Sequence, residues 1–280
     1  MRYTVLSLFS GIGGLCCQGI KAAYLEERFR VTDCVEALPY RREVLKKHLP
    51  TTTIHHDIKS FTPRENGYHI VCGGSPCQDN SIANPKGEGL RGEQSALWWE
   101  MLRVIAQAKP GVVLWENPSG CAYCKQGEDI SPLGLVVGSL ATIGYVCQWQ
   151  AIRLSALGAA HRRERILLIA YTPSEEAKGR GEIPPSWERW IGEDTKKLLS
   201  LWSCKPSPTS RVANGLPKKL HIPIAGWWEA NPFMGIASMG AKLIKDRHER
   251  NSALGDSCSP MQSAIAWKHI YRILQWDKQN

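Results

Sequence analysis

Short apolar runs that stop abruptly at a polar motif set the strongest limit on how this chain can fold. Thr4 to Phe9 runs into Ser10-Gly11-Ile12-Gly13-Gly14, and Val31 to Glu36 ends on an acid. Tyr68 to Cys72 runs into Gly73-Gly74-Ser75, and Gly111 to Trp115 into Glu116-Asn117-Pro118. Each run has the length and residue types of a buried strand, and helix-length stretches separate them, the first expected through about Phe29 and the second through His48. Tyr145 to Leu154 and Arg165 to Tyr171 form a later pair around a turn region, and Ser259 to Gln275 reads as a closing helix. Such alternation predicts an α/β fold with a doubly wound, mostly parallel, Rossmann-like sheet covered on both faces. Ligands of such sheets bind at the carboxyl ends of the strands, where these polar motifs fall.

From 172 to 250 the alternation stops. Trp187, Trp190, Trp202, Trp227 and Trp228 stand among 13 Lys and Arg against 9 Asp and Glu. Aromatic and basic residues interleaved in an irregular segment suit nucleic-acid grooves and bases, or else form a small tryptophan core with a solvated basic face. The expected division is 1–171 plus 251–280 as one domain and 172–250 as a second, small and irregular one. Over the whole chain 35 Lys and Arg face 26 Asp and Glu, a net charge of +9. That excess favours a polyanionic partner through counterion release. The ten cysteines do not form a disulfide framework: Cys16, Cys17, Cys34, Cys72, Cys147 and Cys258 sit among small or apolar neighbours, which suits a reducing cytoplasm. Gly11, Gly13, Ser7 and Ser10 break the apolar start that would otherwise resemble a leader, and no stretch has the length of a membrane span.

The motifs carry the chemistry. Glycines between a strand and a helix allow a tight turn and let a ligand lie on bare backbone, or simply let the turn pack. Glu36, 23 residues after Gly13, can accept hydrogen bonds from both ribose hydroxyls of an adenosine cofactor. Asp57 can take an adenine amino group, or be a surface cap. Cys77, fixed between Pro76 and Gln78 beyond a strand end, is placed where a thiol becomes a thiolate nucleophile, although a lone cysteine after a strand is commonly structural. Glu116 ends its strand in the same way, so an acid and a thiol would face one crevice. Arg162, Arg163 and Arg165 offer guanidinium groups for a phosphate and a pyrimidine carbonyl. Cys121 and Cys124 have zinc-ligand spacing, but no second such pair accompanies them, so no metal is expected.

Taken in order, Phe-Ser-Gly-Ile-Gly-Gly, a strand-ending Glu, Asp-Ile, Pro-Cys-Gln, Glu-Asn and Arg-x-Arg resemble the motif series of DNA cytosine-5 methyltransferases. The likeness covers about 1–171 and resumes at 251–280. It implies S-adenosylmethionine as methyl donor, with S-adenosylhomocysteine as product, held by Phe9, Gly11, Gly13, Gly14, Glu36, Asp57, Ile58, Pro76, Asp256 and Ser257. It further implies Cys77 as nucleophile, Glu116 as the acid on cytosine N3, and Arg163 and Arg165 as supports for a base flipped out of double-stranded DNA. Residues 172–250 become a target-recognition domain, with Gln78, Ser81, Lys218 and Lys219 as DNA contacts and Asn84 to Gly92 as a closing loop. A monomeric cytoplasmic enzyme of bacterial or phage origin, with a cognate restriction endonuclease as a candidate companion, completes the expectation. Three departures stand out: His161 where the family has Gln, Pro118 where it often has Val, and Asp256 where it has Asn. An RNA cytosine-5 methyltransferase, a catalytically silent relative and a nicotinamide dehydrogenase are the alternatives. The last leaves Pro-Cys-Gln and Glu-Asn unexplained.

Overall fold

The computed structural model describes residues 2–75, 96–124, 130–159, 163–173, 184, 186–201, 249, 252–253 and 256–279. The strands are β1 (Tyr3–Leu8), β2 (Phe29–Val35), β3 (Thr53–His55), β4 (Ile70–Gly73), β5 (Val112–Pro118), β6 (Val146–Arg153) and β7 (Glu164–Tyr171). They form one sheet in the order β3-β2-β1-β4-β5-β7-β6. The first five run parallel, and β7 is antiparallel to both of its neighbours. The helices are α1 (Cys17–Ala22), α2 (Pro39–His48), α3 (Ala96–Ala108), α4 (Pro132–Thr142), a Trp187–Leu201 helix and a C-terminal Pro260–Gln279 helix.

Alternate strand residues face opposite layers, as the period of two requires. Val112, Leu114, Leu167 and Ile169 join the core under α1 and the C-terminal helix, built on Ala264, Trp267 and Ile270. Val113, Trp115, Leu168 and Ala170 join the core under α3 and α4, with Trp98, Met101 and Ile105. The doubly wound, mostly parallel fold expected from the alternation is the one observed.

Register explains why the polar motifs converge. Val35, Leu8, Gly73 and Trp115 are paired in a row across β2, β1, β4 and β5. The next residue on each strand is Glu36, Phe9, Gly74 and Glu116, so the motifs share one rim. The antiparallel β7 brings its amino end to the same rim, pairing Pro118 with Arg165.

Three elements differ from expectation. The first helix stops at Ala22, not near Phe29, because Tyr24 takes a left-handed φ of 55° and Phe29 already belongs to β2. β3 is an unforeseen strand of three residues. The Trp187–Leu201 helix falls inside the stretch expected to be irregular. Trp187 and Leu198 are buried in the core, Trp187 stacks on His269 with ring centroids 4.9 Å apart, and Asp194 accepts two hydrogen bonds from Arg272 at 2.7 and 3.0 Å. Gln148 Oε1 accepts from Trp187 N at 3.0 Å and lies 3.2 Å from His269 Nε2. Burial pulls His269 down to about 4, so the ring meets Trp187 uncharged. No helix among the described residues is long and apolar enough to cross a membrane.

Candidate active site

The glycine loop is held by β2 and by the acid that ends it. Ser10 N donates to Val35 O at 3.1 Å, and Ser10 Oγ donates to Ser7 O at 2.9 Å. Phe9, Gly11 and Gly13 have φ of 50°, 57° and 88°. Two glycines absorb that conformation without strain, whereas Phe9 takes a left-handed φ that residues with a Cβ seldom adopt. Glu36 is 5% exposed. Its Oε2 accepts from Gly11 N at 2.7 Å and its Oε1 from Leu38 N at 3.0 Å. Each oxygen keeps a further lone pair. A side chain added at Gly11 would meet no atom within 4 Å, so there is open space over the loop backbone.

Asp57 lies beyond β3 on an open cleft of about 450 Å³, with His55, His56, Ser60 and Phe61. Its Oδ1 accepts from Lys59 N at 3.0 Å, so Asp57 is a local cap that still faces the cleft. Ile58 is 5% exposed within the apolar core, and its carbonyl accepts from Arg103. Its side chain therefore belongs to the core and does not line the cleft.

The 256–258 turn lies directly on the loop. A Cβ on Gly14 would fall 2.2 Å from both Cys258 O and Ser257 Oγ. From the C-terminal helix, Ser263 Oγ and Trp267 Nε1 both donate to Leu15 O, at 2.5 and 2.7 Å. Asp256 is ion-paired with Arg41. The negative charge that distinguishes this position from the family's asparagine thus has a cation beside it.

On the other half of the rim, Glu116 is 7% exposed and lies 2.8 Å from Arg165 Nε. Burial pushes its carboxyl above the ordinary carboxylate range, and Arg165 and Arg163 offset part of that rise. Burial, and then Arg165, lower Arg163 from the ordinary arginine value. Arg163 donates to Ser257 O, and Gln262 Nε2 donates to Arg163 O at 2.7 Å. Gly74 crosses the end of β5 so closely that a Cβ there would sit 2.9 Å from Glu116 O and 3.0 Å from its Oε2. Next to it, Ser75 is gripped by both neighbours of the acid. Trp115 Nε1 donates to Ser75 Oγ at 3.2 Å, and Asn117 Nδ2 donates to Ser75 O at 3.2 Å. Among the described residues the site therefore gathers Phe9, Gly11, Gly13, Gly14, Glu36, Asp57, Glu116, Arg163, Arg165, Asp256 and Ser257 along one rim.

Pro76, Cys77, Gln78, Ser81, Asn84 to Gly92, His161, Lys218, Lys219 and Gly255 lie outside the described residues. Cys121 is buried in the core beneath α3 and α4, whereas Cys124 is exposed. Arg41 and the indole of Trp115 were not foreseen, because no local pattern marks a partner 215 or 40 residues away.

Known proteins bear on this geometry in two ways. Crystal structures with the same overall fold include one described as a prophage-encoded DNA modification methyltransferase from E. coli, with a TM-score of 0.60, 17% identity, and 98% of this chain and 100% of that one covered. A variant of Spodoptera frugiperda DNMT2 gives a TM-score of 0.57 at 13% identity, covering 96% and 100%. These place the chain among α/β folds of the methyltransferase type. At the level of sequence, the family described as C-5 cytosine-specific DNA methylase matches residues 3–214, and the chain belongs to that family. Relatives include the type II methyltransferase M.CviJI of Paramecium bursaria Chlorella virus IL3A, 28% identical over 67% of this chain and 49% of that protein. M.PspPI of Psychrobacter sp. (strain TA137) is 24% identical over 95% and 62%, and M2.BsuMI of Bacillus subtilis (strain 168) 31% identical over 59% and 41%. The chain thus spans about half the length of these relatives.

Proposed function

We propose that this chain transfers a methyl group from S-adenosylmethionine to carbon 5 of a cytosine flipped out of duplex DNA, with Cys77 as nucleophile. The observation that carries the proposal is the buried Glu116–Arg165 pair, with both neighbours of Glu116 tied to Ser75, two residues before Cys77. An acid whose neighbours hold the residue two before the cysteine in sequence suits attack of a thiol on a pyrimidine.

The residues present fit the donor. Open space over Gly11 accommodates a ligand against the backbone, and the anchored Glu36 keeps lone pairs for ribose hydroxyls. Bound there, S-adenosylmethionine supplies an electrophilic methyl group. Asp57 at its cleft would take the adenine amino group, and the Gly14–Ser257 contact would bound the loop side.

Cytosine carbon 5 is a weak nucleophile within the ring. Attack of the Cys77 thiolate on carbon 6 forms a carbon–sulfur bond while Glu116 gives or shares a proton at N3. The ring electrons are then concentrated on carbon 5, which takes the methyl group. A general base then takes the carbon 5 hydrogen as a proton, N3 returns its proton to Glu116, and the carbon–sulfur bond to Cys77 breaks as the carbon 5–carbon 6 double bond is restored. A carboxyl raised by burial holds its proton nearer to neutral pH, which suits Glu116 to this step. Arg163 and Arg165 offer fixed donors to the base carbonyl or its phosphate. Flipping costs roughly a few kcal/mol, offset by contacts in the pocket.

The net charge of +9, with Lys218 and Lys219 in the basic stretch, supports duplex DNA as partner, and 172–250 as the segment that selects the site. The type II names of the relatives support a cognate restriction endonuclease as companion. The enzyme would act as a cytoplasmic monomer.

The test is methyl transfer from labelled S-adenosylmethionine to duplex DNA, to RNA and to no substrate. Transfer to DNA is expected, abolished by Cys77→Ser, with a covalent adduct on duplex containing 5-fluorocytosine. Transfer to RNA alone, or activity retained by Cys77→Ala, would overturn the proposal.

A further inference from the structure

α2 and the 256–258 turn, both beside the glycine loop, are joined by a charged contact that the catalytic steps do not use. α2 begins three residues after Glu36, and Arg42 on it donates to Glu36 O at 3.1 Å. The preceding residue, Arg41, reaches the chain where it returns towards the C-terminal helix. Its Nη2 lies 2.5 Å from Asp256 Oδ2 and 3.3 Å from Ser252 Oγ. The arginine side chain is 14% exposed and the aspartate 48%, so the pair is half sheltered. The next two residues, Ser257 and Cys258, are those that press on Gly14, and Ser257 O also receives the Arg163 guanidinium. One short turn therefore touches the glycine loop on one side and the arginine of the base pocket on the other. Arg41 is the cation that holds its leading end.

We propose that the Arg41–Asp256 pair is a latch that seats the 256–258 turn on the glycine loop and thereby sets how tightly S-adenosylmethionine is retained. Both are positioning residues: they act through Ser257, Cys258 and Gly14 on the cofactor, not on the reacting atoms. Gly14 accepts the turn only because it lacks a side chain, so the contact has no slack. A turn released at Asp256 lifts from the loop and opens the cofactor's side of the cleft. The inference rests on the proposed cofactor.

Its test uses the full chain with Arg41→Gln, Asp256→Ala, and the exchanged pair Arg41→Asp with Asp256→Arg. Calorimetry gives the Kd for S-adenosylmethionine, steady-state kinetics separate KM from kcat, and thermal melting checks folding. Each single change is expected to raise Kd and KM for the donor about three- to fivefold, the upper end of what a partly exposed ion pair is worth, with a smaller fall in kcat. The exchanged pair should bring both constants back towards wild type, which a change in general packing would not do. Single variants that bind the donor like wild type would overturn the latch, as would an exchanged pair that melts normally but binds no better than the singles. If Asp256→Ala melts early, Asp256→Asn removes the same charge with the side-chain shape kept, and its Kd decides in place of alanine's. Failure of the wild-type chain to bind S-adenosylmethionine would instead overturn the cofactor reading, which separates the two.

Discussion

Replacing Glu36 by glutamine changes one oxygen for an amide, and the geometry says what that costs. In the native loop Oε2 accepts from Gly11 N at 2.7 Å and Oε1 from Leu38 N at 3.0 Å. Glutamine offers one acceptor and one donor, so whichever way the amide turns, one backbone N–H faces another N–H. A polar group left without a partner in a buried position costs about 1–3 kcal/mol. For a chain of about this size each kcal/mol lowers the melting temperature by roughly 2–4 °C, so a drop of roughly 2–12 °C is expected. Alanine removes both acceptors but leaves room for water, so glutamine should destabilise at least as much as alanine. In the proposed cofactor site both variants would lose a charged acceptor for the ribose, worth about 1.5–3 kcal/mol, or about 10- to 150-fold in Kd. Scanning fluorimetry and calorimetry with S-adenosylmethionine read the two effects separately. A glutamine variant that melts and binds like wild type would refute the hydrogen-bond argument. One that melts early yet binds normally would leave Glu36 as a loop anchor and remove it from the cofactor site.

Two further expectations follow from the other half of the rim. Because burial raises Glu116, the folded chain binds that proton more readily than the unfolded chain does. Its ionisation therefore costs stability as pH rises from the ordinary carboxylate range through the raised folded value. Glu116→Gln should accordingly gain melting temperature relative to wild type across that window and show no trend below it; the opposite slope in melts from pH 4 to 8 would refute the assignment. Trp115→Phe keeps the ring but removes the donor to Ser75 Oγ, and is expected to cost about 0.5–1.5 kcal/mol of stability. It should also slow adduct formation on 5-fluorocytosine duplex with unchanged affinity for S-adenosylmethionine, and a wild-type adduct rate would show that the clamp does not guide the thiol.

Much of this fold was legible because each central strand is an apolar run stopped by glycine or an acid, and the polar motif follows at once. β3 was not: Thr53-Ile54-His55 is too short and too exposed to show a period. The Trp187–Leu201 helix does carry a stripe at Trp187, Ile191, Asp194 and Leu198, but the aspartate in it reads as a solvated face until Arg272 is seen to neutralise it. Glu116 and Glu36 could be placed from sequence since each directly follows an apolar run, although β5 continues past Glu116 to Pro118. What surrounds them could not. The grip of Trp115 and Asn117 on Ser75, and that of Arg41 on Asp256, are long-range side-chain contacts with no local signature.

The docked Trp187–Leu201 helix has a bearing on where this chain can be cut and rejoined. Its stacked tryptophan, buried leucine and double hydrogen bond to Arg272 belong to the sheet's own packing. A graft that exchanged all of 172–250 would strip those groups away and leave His269 and Arg272 without them. A cassette opened after Leu201 and closed before Ser252 would keep them. If the proposed target-recognition role of 172–250 holds, the durable seams for exchanging it between relatives therefore lie after Leu201 and before Ser252, where an insert meets an intact scaffold on both sides.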